Sequence, residues 1–260
     1  VTSGAWAGIV SLVAGLGWLS FDLRRRNHPL APDAVLFRHL WIDWRLLRTV
    51  LRIGVPTGIQ VVLLSLAEVA VLSFVNGFGS DATAAYGTVN QVVSYVQFPA
   101  ISISITASIF GAQAIGRGHV DRLGAITRTG ILMNVVITGG LVLLAYVFSR
   151  TIIGFFITSD PVTELAQRLL HITLWSYVIF GAAGVVSGIM RASGTVITPT
   201  ALSIFAVLGI EVPVAYFLSH TSLGIDGIWA AYPIAFVAML VMQSLYYRLV
   251  WRKTRITRLV

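Results

Sequence analysis

Seven apolar stretches, each long enough to cross a bilayer as a helix, constrain this 260-residue chain more than any other feature. A hydrocarbon core of about 30 Å takes roughly 20 helical residues to span. The stretches lie at about 4–21, 54–78, 84–113, 126–148, 166–190, 197–219 and 227–248. Lipid offers backbone N–H and C=O groups no partners, so open-chain spans must be helical. A membrane barrel would instead alternate apolar and polar residues in strands of about ten, and these runs do not alternate. Hydrophobic residues make up 57% of the chain and charged residues 11%, against about 25% charged in a soluble domain. The expected fold is an all-α integral membrane protein with seven transmembrane helices.

The net charge of +8 raises the question of nucleic acid. The charges, however, gather in short segments between apolar spans, as membrane-protein loops do, so no nucleic-acid partner is expected. Sixteen of the eighteen basic residues fall on one side of the seven spans; only Arg150 and Arg168 fall on the other. The basic side is expected to be cytoplasmic, which puts the N-terminus outside and the C-terminus inside a multi-pass plasma-membrane (bacterial inner-membrane) protein. The absence of cysteine excludes disulfides and thiolate metal sites within this sequence, and no firm metal site or cofactor is expected. Val1 is followed almost at once by apolar residues with no basic n-region, which is unlike a signal peptide and suggests a chain whose beginning is missing.

The long connection at 23–53 has structure of its own. "NHPLAP" breaks the chain, after which Asp43 can cap "WRLLRTVLRI" as a helix. Trp44, Leu47, Val50 and Leu51 take one side and Arg45, Arg48 and Arg52 the other. A short helix on the inner membrane surface is expected there. The basic tail "RLVWRKTRITRLV" points to contact with anionic lipid.

A carboxylate in mid-span is costly and marks function by default. Glu68 sits near the midpoint of the second span and is the only charged residue between Gly54 and Gly77. Thr57, Gln60, Ser65 and Asn76 fall toward its side of the helix, with Val62, Leu63, Leu66, Val69 and Ala70 assigned to the other. The third span places Asn90, Ser94, Gln97, Ser104 and Ser108 on one face, interrupted by Pro99. That stripe fits either a cavity wall or serine-mediated packing. Glu211 is a second intramembrane acid, followed by Pro213, with Thr200 and Ser203 on its side. Pairing with Glu68, lining the pathway alone and reaching outward all remain open for it. Arg168 and His171 are assigned to the membrane interface, and "GVVSG" at 184–188 to helix packing. No P-loop, zinc motif or nucleophile elbow occurs, so no enzyme is expected.

Three stretches in order resemble the multidrug and toxic compound extrusion (MATE) family of antiporters. They are "LRIGVPTGIQVVLLSLAEV", "AAYGTVNQVV" with "FPAISISITASIFGAQAIGRG", and "GIMRASGTVITP". The resemblance covers the whole chain. It implies twelve helices in two six-helix lobes, of which this chain carries the last helix of the N-terminal lobe (1–22) and the C-terminal six-helix lobe (54–248). A cytoplasmic linker (23–53) joins them, a basic cytoplasmic tail follows (249–260), and the rest of the N-terminal lobe is expected in the full-length chain. The family's cation-coupling glutamate in its seventh helix matches Glu68. The aspartate common in the tenth helix has no counterpart, because Phe180 stands near its place.

Together these readings lead to a secondary active exporter that exchanges cationic amphipathic compounds for a coupling ion, a proton in preference to sodium. Glu68 would carry the ion, and Gln60, Ser65, Asn90, Ser94, Gln97, Tyr177 and Glu211 are candidates to line the cavity. A lipid-linked saccharide flippase of the same superfamily is an alternative, although no basic residue lies between Arg52 and Arg117 to meet a pyrophosphate. A seven-helix receptor is another. A retinal pigment would need a lysine in its last helix, and the single lysine, Lys253, lies in the tail.

Overall fold

The structure, a computed structural model, describes residues 2–26, 43–157 and 159–253. Among them there is helix and no strand, as expected for backbone that must satisfy itself in lipid. The described residues divide into two units, 1–51 and 52–260. The first contains α1 (Thr2–Arg25), with Arg26 paired to Asp22 at 2.9 Å just past its end. The "NHPLAP" break and the tail beyond Lys253 lie outside the described residues.

Asp43 caps a helix, as its position suggests: its Oδ1 accepts from the backbone N–H groups of Arg45 (2.8 Å) and Leu46 (3.2 Å). That helix does not stop before the second apolar stretch. It continues as α2 (Trp44–Asn76), through Pro56, so the separate short surface helix expected at 44–53 is replaced by the first turns of a longer one. Pro56 removes one N–H and yet ends nothing, an exception to the rule that proline in a helix interior breaks it.

Beyond α2 come α3 (Ser80–Gly116), α4 (Leu123–Val147), α5 (Ser149–Gly154), α6 (Asp160–Thr173), α7 (Ser176–Ala192) and α8 (Ile197–Ile204). A π-helical segment (Phe205–Glu211), α9 (Val212–Ser219) and α10 (Ile225–Leu249) complete the lobe. Seven helices or helix runs among the described residues are long and apolar enough to cross a membrane. The fifth of these, Asp160–Ala192, is longer than the stretch expected at 166–190. It is broken at Leu174–Trp175 into amphipathic α6 and apolar α7. Periodicity around 149–165 was too mixed to disclose α5 or the start of α6.

The sixth span carries the π segment directly before α9. Pro213 has no N–H to return to the carbonyl four residues back, Gly209, so the helix widens locally before Val212.

Apolar association in lipid rests on close packing, and glycine supplies it here. α3 makes its most extensive contact with α7. A Cβ on Gly188 would stand 2.7 Å from the Ser104 carbonyl oxygen, and one on Gly184 would meet the Ser104 hydroxyl. Across α7, a Cβ on Gly181 would collide with the Asn134 amide, which is fully buried and donates to the Val178 carbonyl at 2.8 Å. Thr138 donates in turn to the Asn134 amide oxygen at 3.1 Å. The 184–188 motif is thus a packing surface. α2 buries one stripe, Gln60, Ala67, Val71 and Val75, against the lobe and leaves Val61, Val62, Leu66 and Val69 exposed.

Candidate functional site

The stripe on α2 next to the buried one carries Ser65, Glu68 and Leu72, at spacings of three and four that keep them on one face. α3 presents Tyr86, Asn90, Val93, Ser94 and Gln97 to it, and α7 contributes Tyr177 from its first turn. With Val69, these side chains line a groove of about 310 Å³. Glu68 is its one acid, and no lysine or arginine takes part. Both ion pairs among the described residues, Arg26–Asp22 and Arg168–Asp226, lie elsewhere. The groove therefore combines one uncompensated carboxylate, two amides, two serine hydroxyls and two phenols over an apolar floor.

Aromatic packing fixes the back of the groove. Tyr177 packs edge-on against Phe236 at 5.2 Å between centroids, and Phe180 packs on the same ring at 5.1 Å. Tyr86 stacks on Trp229 at 5.7 Å and shares a 3.0 Å hydrogen bond with the Tyr232 hydroxyl. The same Tyr86 hydroxyl is within hydrogen-bonding reach of Asn90. A continuous polar line thus leads from the groove through Tyr86 to Tyr232 in the core.

Sequence reasoning gathered most of this set and misplaced some of it. Ser65, Glu68, Asn90, Ser94, Gln97 and Tyr177 come together in the groove. Gln60 does not line it: the side chain is buried and accepts a hydrogen bond from Arg191 at 2.9 Å. Thr57 donates to the Ile53 carbonyl, and Asn76 accepts from Thr83 at the α2–α3 turn, so neither joins the site. Val69 lines the groove, although it was placed on the opposite side of α2.

The α3 stripe divides at Pro99. Asn90, Ser94 and Gln97 face the groove, and Ser104 and Ser108 pack where Gly184 and Gly188 leave room. Glu211 is buried in the π segment and is not among the groove's lining residues. Ser203 is engaged by Gln243 at 2.9 Å. Arg168 pairs with Asp226 at 3.4 Å, and His171 packs edge-on against Tyr146; both are exposed. Tyr86 was the residue missed. Its place four before Asn90 on the same helix face was the available signal.

Comparison with known proteins decides which transporters share this arrangement. Residues 56–217 match the MatE family model. The chain belongs to the MatE family. It is 52% identical over 257 residues to the probable multidrug resistance protein YoeA of Bacillus subtilis (strain 168), covering 98% of this chain and 56% of that protein. The probable multidrug resistance protein YpnP of the same bacterium is 25% identical over 222 residues, covering 85% of this chain and 49% of that one. This MatE chain thus spans about half the length of these relatives.

Among solved structures, a mutant of the Vibrio cholerae MATE transporter VcmN superposes with a TM-score of 0.83 at 15% identity, over 95% of this chain and 55% of that one. A mutant of another MATE protein gives 0.82 at 19% identity, over 96% and 56%. These two likenesses show the fold. With the seven apolar spans, family membership makes this a multi-pass membrane protein of the MATE multidrug efflux transporters, a family of transporters and not of enzymes.

Proposed function

We propose that this chain supplies the C-terminal lobe of a cation-coupled multidrug exporter, working with a preceding N-terminal lobe across a shared cleft in the plasma membrane. Its substrates are cationic amphipathic compounds. The observation that carries this reading is the composition of the α2–α3–α7 groove: one carboxylate, no cation, and phenol rings set beside amides. A cationic ring system finds charge attraction at Glu68 and cation–π and stacking surfaces at Tyr86 and Tyr177. A pyrophosphate-bearing lipid would meet only the Glu68 charge, which repels it.

The coupling ion is a proton. A proton needs a single carboxylate, and carboxylates inside membrane spans recur in proton relays. A sodium ion needs several oxygen ligands at once, and Phe180, packed on Phe236 and Tyr177, occupies the neighbourhood where a second acid would help. Proton and substrate compete for Glu68, so loading one releases the other and opposite fluxes are tied together.

The test is dye efflux by the full-length protein at matched expression. Efflux driven by a pH gradient in sodium-free buffer, and lost in Glu68→Gln, is the expected result. Efflux that requires sodium and ignores pH removes the proton. Wild-type pumping by Glu68→Gln makes this side chain structural and ends the mechanism.

A further inference from the structure

At the other end of α4 from its junction with α5, a second groove of about 300 Å³ lies among α4, α7 and α10. Arg128, Arg248 and Arg252 line it, together with Thr127, Ser244, Tyr247, Ile131 and Val186. The three arginines come from separate places: the second turn of α4, the last turn of α10 and the 3-10 turn Trp251–Lys253. Among the described residues none of the three has an ion-pair partner. All three are exposed.

The elements that carry them are anchored. Trp251 is 4% exposed, stacks on Tyr247 at 5.1 Å and donates from its indole N–H to the Ser193 hydroxyl at 2.9 Å. That fixes the turn bearing Arg252 against the end of α7. Thr127 and Tyr247 share a 3.3 Å hydrogen bond, which ties the second turn of α4 to the last turns of α10. Three guanidinium groups therefore converge on one concavity from fixed backbones, with hydroxyls between them and the apolar side chains of Ile131 and Val186 on its wall.

We infer that this groove binds the phosphate headgroup of an anionic phospholipid, with the glycerol and upper acyl carbons against Ile131 and Val186. Planar guanidinium groups match phosphate oxygens with two parallel hydrogen bonds each. Basic pockets between helices at a membrane surface suit such headgroups. A zwitterionic lipid brings an ammonium group into a site already crowded with positive charge. Free phosphate reaches the arginines but leaves the apolar wall uncovered. The lipid would bridge α4 and α10 at the basic end of the lobe, independently of what Glu68 does.

The full-length protein, purified in neutral detergent, is titrated with phosphatidylglycerol, with phosphatidylcholine and with inorganic phosphate, and binding is followed by native mass spectrometry. One arginine near an anionic headgroup contributes about fivefold in affinity. Arg128→Gln with Arg252→Gln should therefore weaken phosphatidylglycerol binding about 25-fold. The control is Arg117→Gln with Arg122→Gln, which removes the same charge from exposed positions outside this groove and should leave binding within about twofold of wild type, since those side chains do not reach the site. Equal weakening in the two double variants reduces the effect to general surface charge and overturns the site. So does phosphatidylcholine binding as tightly as phosphatidylglycerol, or inorganic phosphate matching the lipid.

Discussion

The Arg191 guanidinium donates to the Gln60 amide oxygen at 2.9 Å, joining α2 to the end of α7. Gln60 is 8% exposed, and Arg191 also has a buried Nε with no hydrogen-bond partner. A cation held here by a single neutral acceptor is under-satisfied. Removing that acceptor leaves a partly buried charge with less still, a loss of about 1.5–3 kcal/mol for a hydrogen bond to a charged group.

Gln60→Leu should therefore lower the melting temperature of the detergent-purified protein, whereas Gln60→Glu, which converts the contact to an ion pair, should raise it. If α2 and α7 part at this end during transport, Gln60→Glu will also slow efflux. Higher stability with unchanged efflux would make the contact a permanent staple.

Glycine packing yields a second expectation. Gly181→Ala forces a methyl group onto the Asn134 amide, which already bonds the Val178 carbonyl. Overpacking of this kind costs about 1–3 kcal/mol. Gly140→Ala, on α4 where an added Cβ meets nothing within 4 Å, should be neutral or slightly stabilising. The readout is thermal unfolding of the two variants in parallel. Equal melting temperatures would mean that α7 has room to move away from α4.

The spans were legible because lipid imposes one rule on every backbone group, and apolar length alone then locates the helices. Glu68 was legible for a similar reason: one acid in a charge-free run needs an explanation. Helical wheels were less dependable. They put Gln60 beside Glu68, yet 80° of rotation separates a groove-facing side chain from one buried against Arg191. They also ran one stripe through Pro99, where the two halves of α3 have different neighbours. The π segment before Val212 could not be assigned because a proline predicts a disturbed helix without saying whether it bends or widens.

Orientation follows from charge placement. The chain has no cysteine, so a single introduced one reports cleanly. A cysteine at Ser80 in the α2–α3 turn is expected to react with a membrane-impermeant thiol reagent in intact cells; one at Gly118, near Arg117 and Arg122, is expected to react only after the membrane is opened. The reverse pattern would invert the assigned sides and place the three-arginine groove in the outer leaflet.

Glu211 is the acid whose role the groove leaves undefined. It is 4% exposed, it ends the π segment, and no ion pair among the described residues reaches it. Glutamine has the same length and hydrogen-bonding reach without a charge to bury, so Glu211→Gln should keep the melting temperature or raise it slightly. Alanine instead opens a void in the sixth span, and Glu211→Ala should destabilise by about 1–3 kcal/mol. For transport the expected order is that Glu68→Gln abolishes coupled efflux while Glu211→Gln retains most of it, because the Glu68 carboxylate faces the groove and Glu211 is not among the residues that line it. Dye efflux measured at several external pH values separates the two. A Glu211→Gln variant that folds normally but loses the pH response as fully as Glu68→Gln would make Glu211 a second carrier of the coupling ion, reached from the groove along Tyr86 and Tyr232.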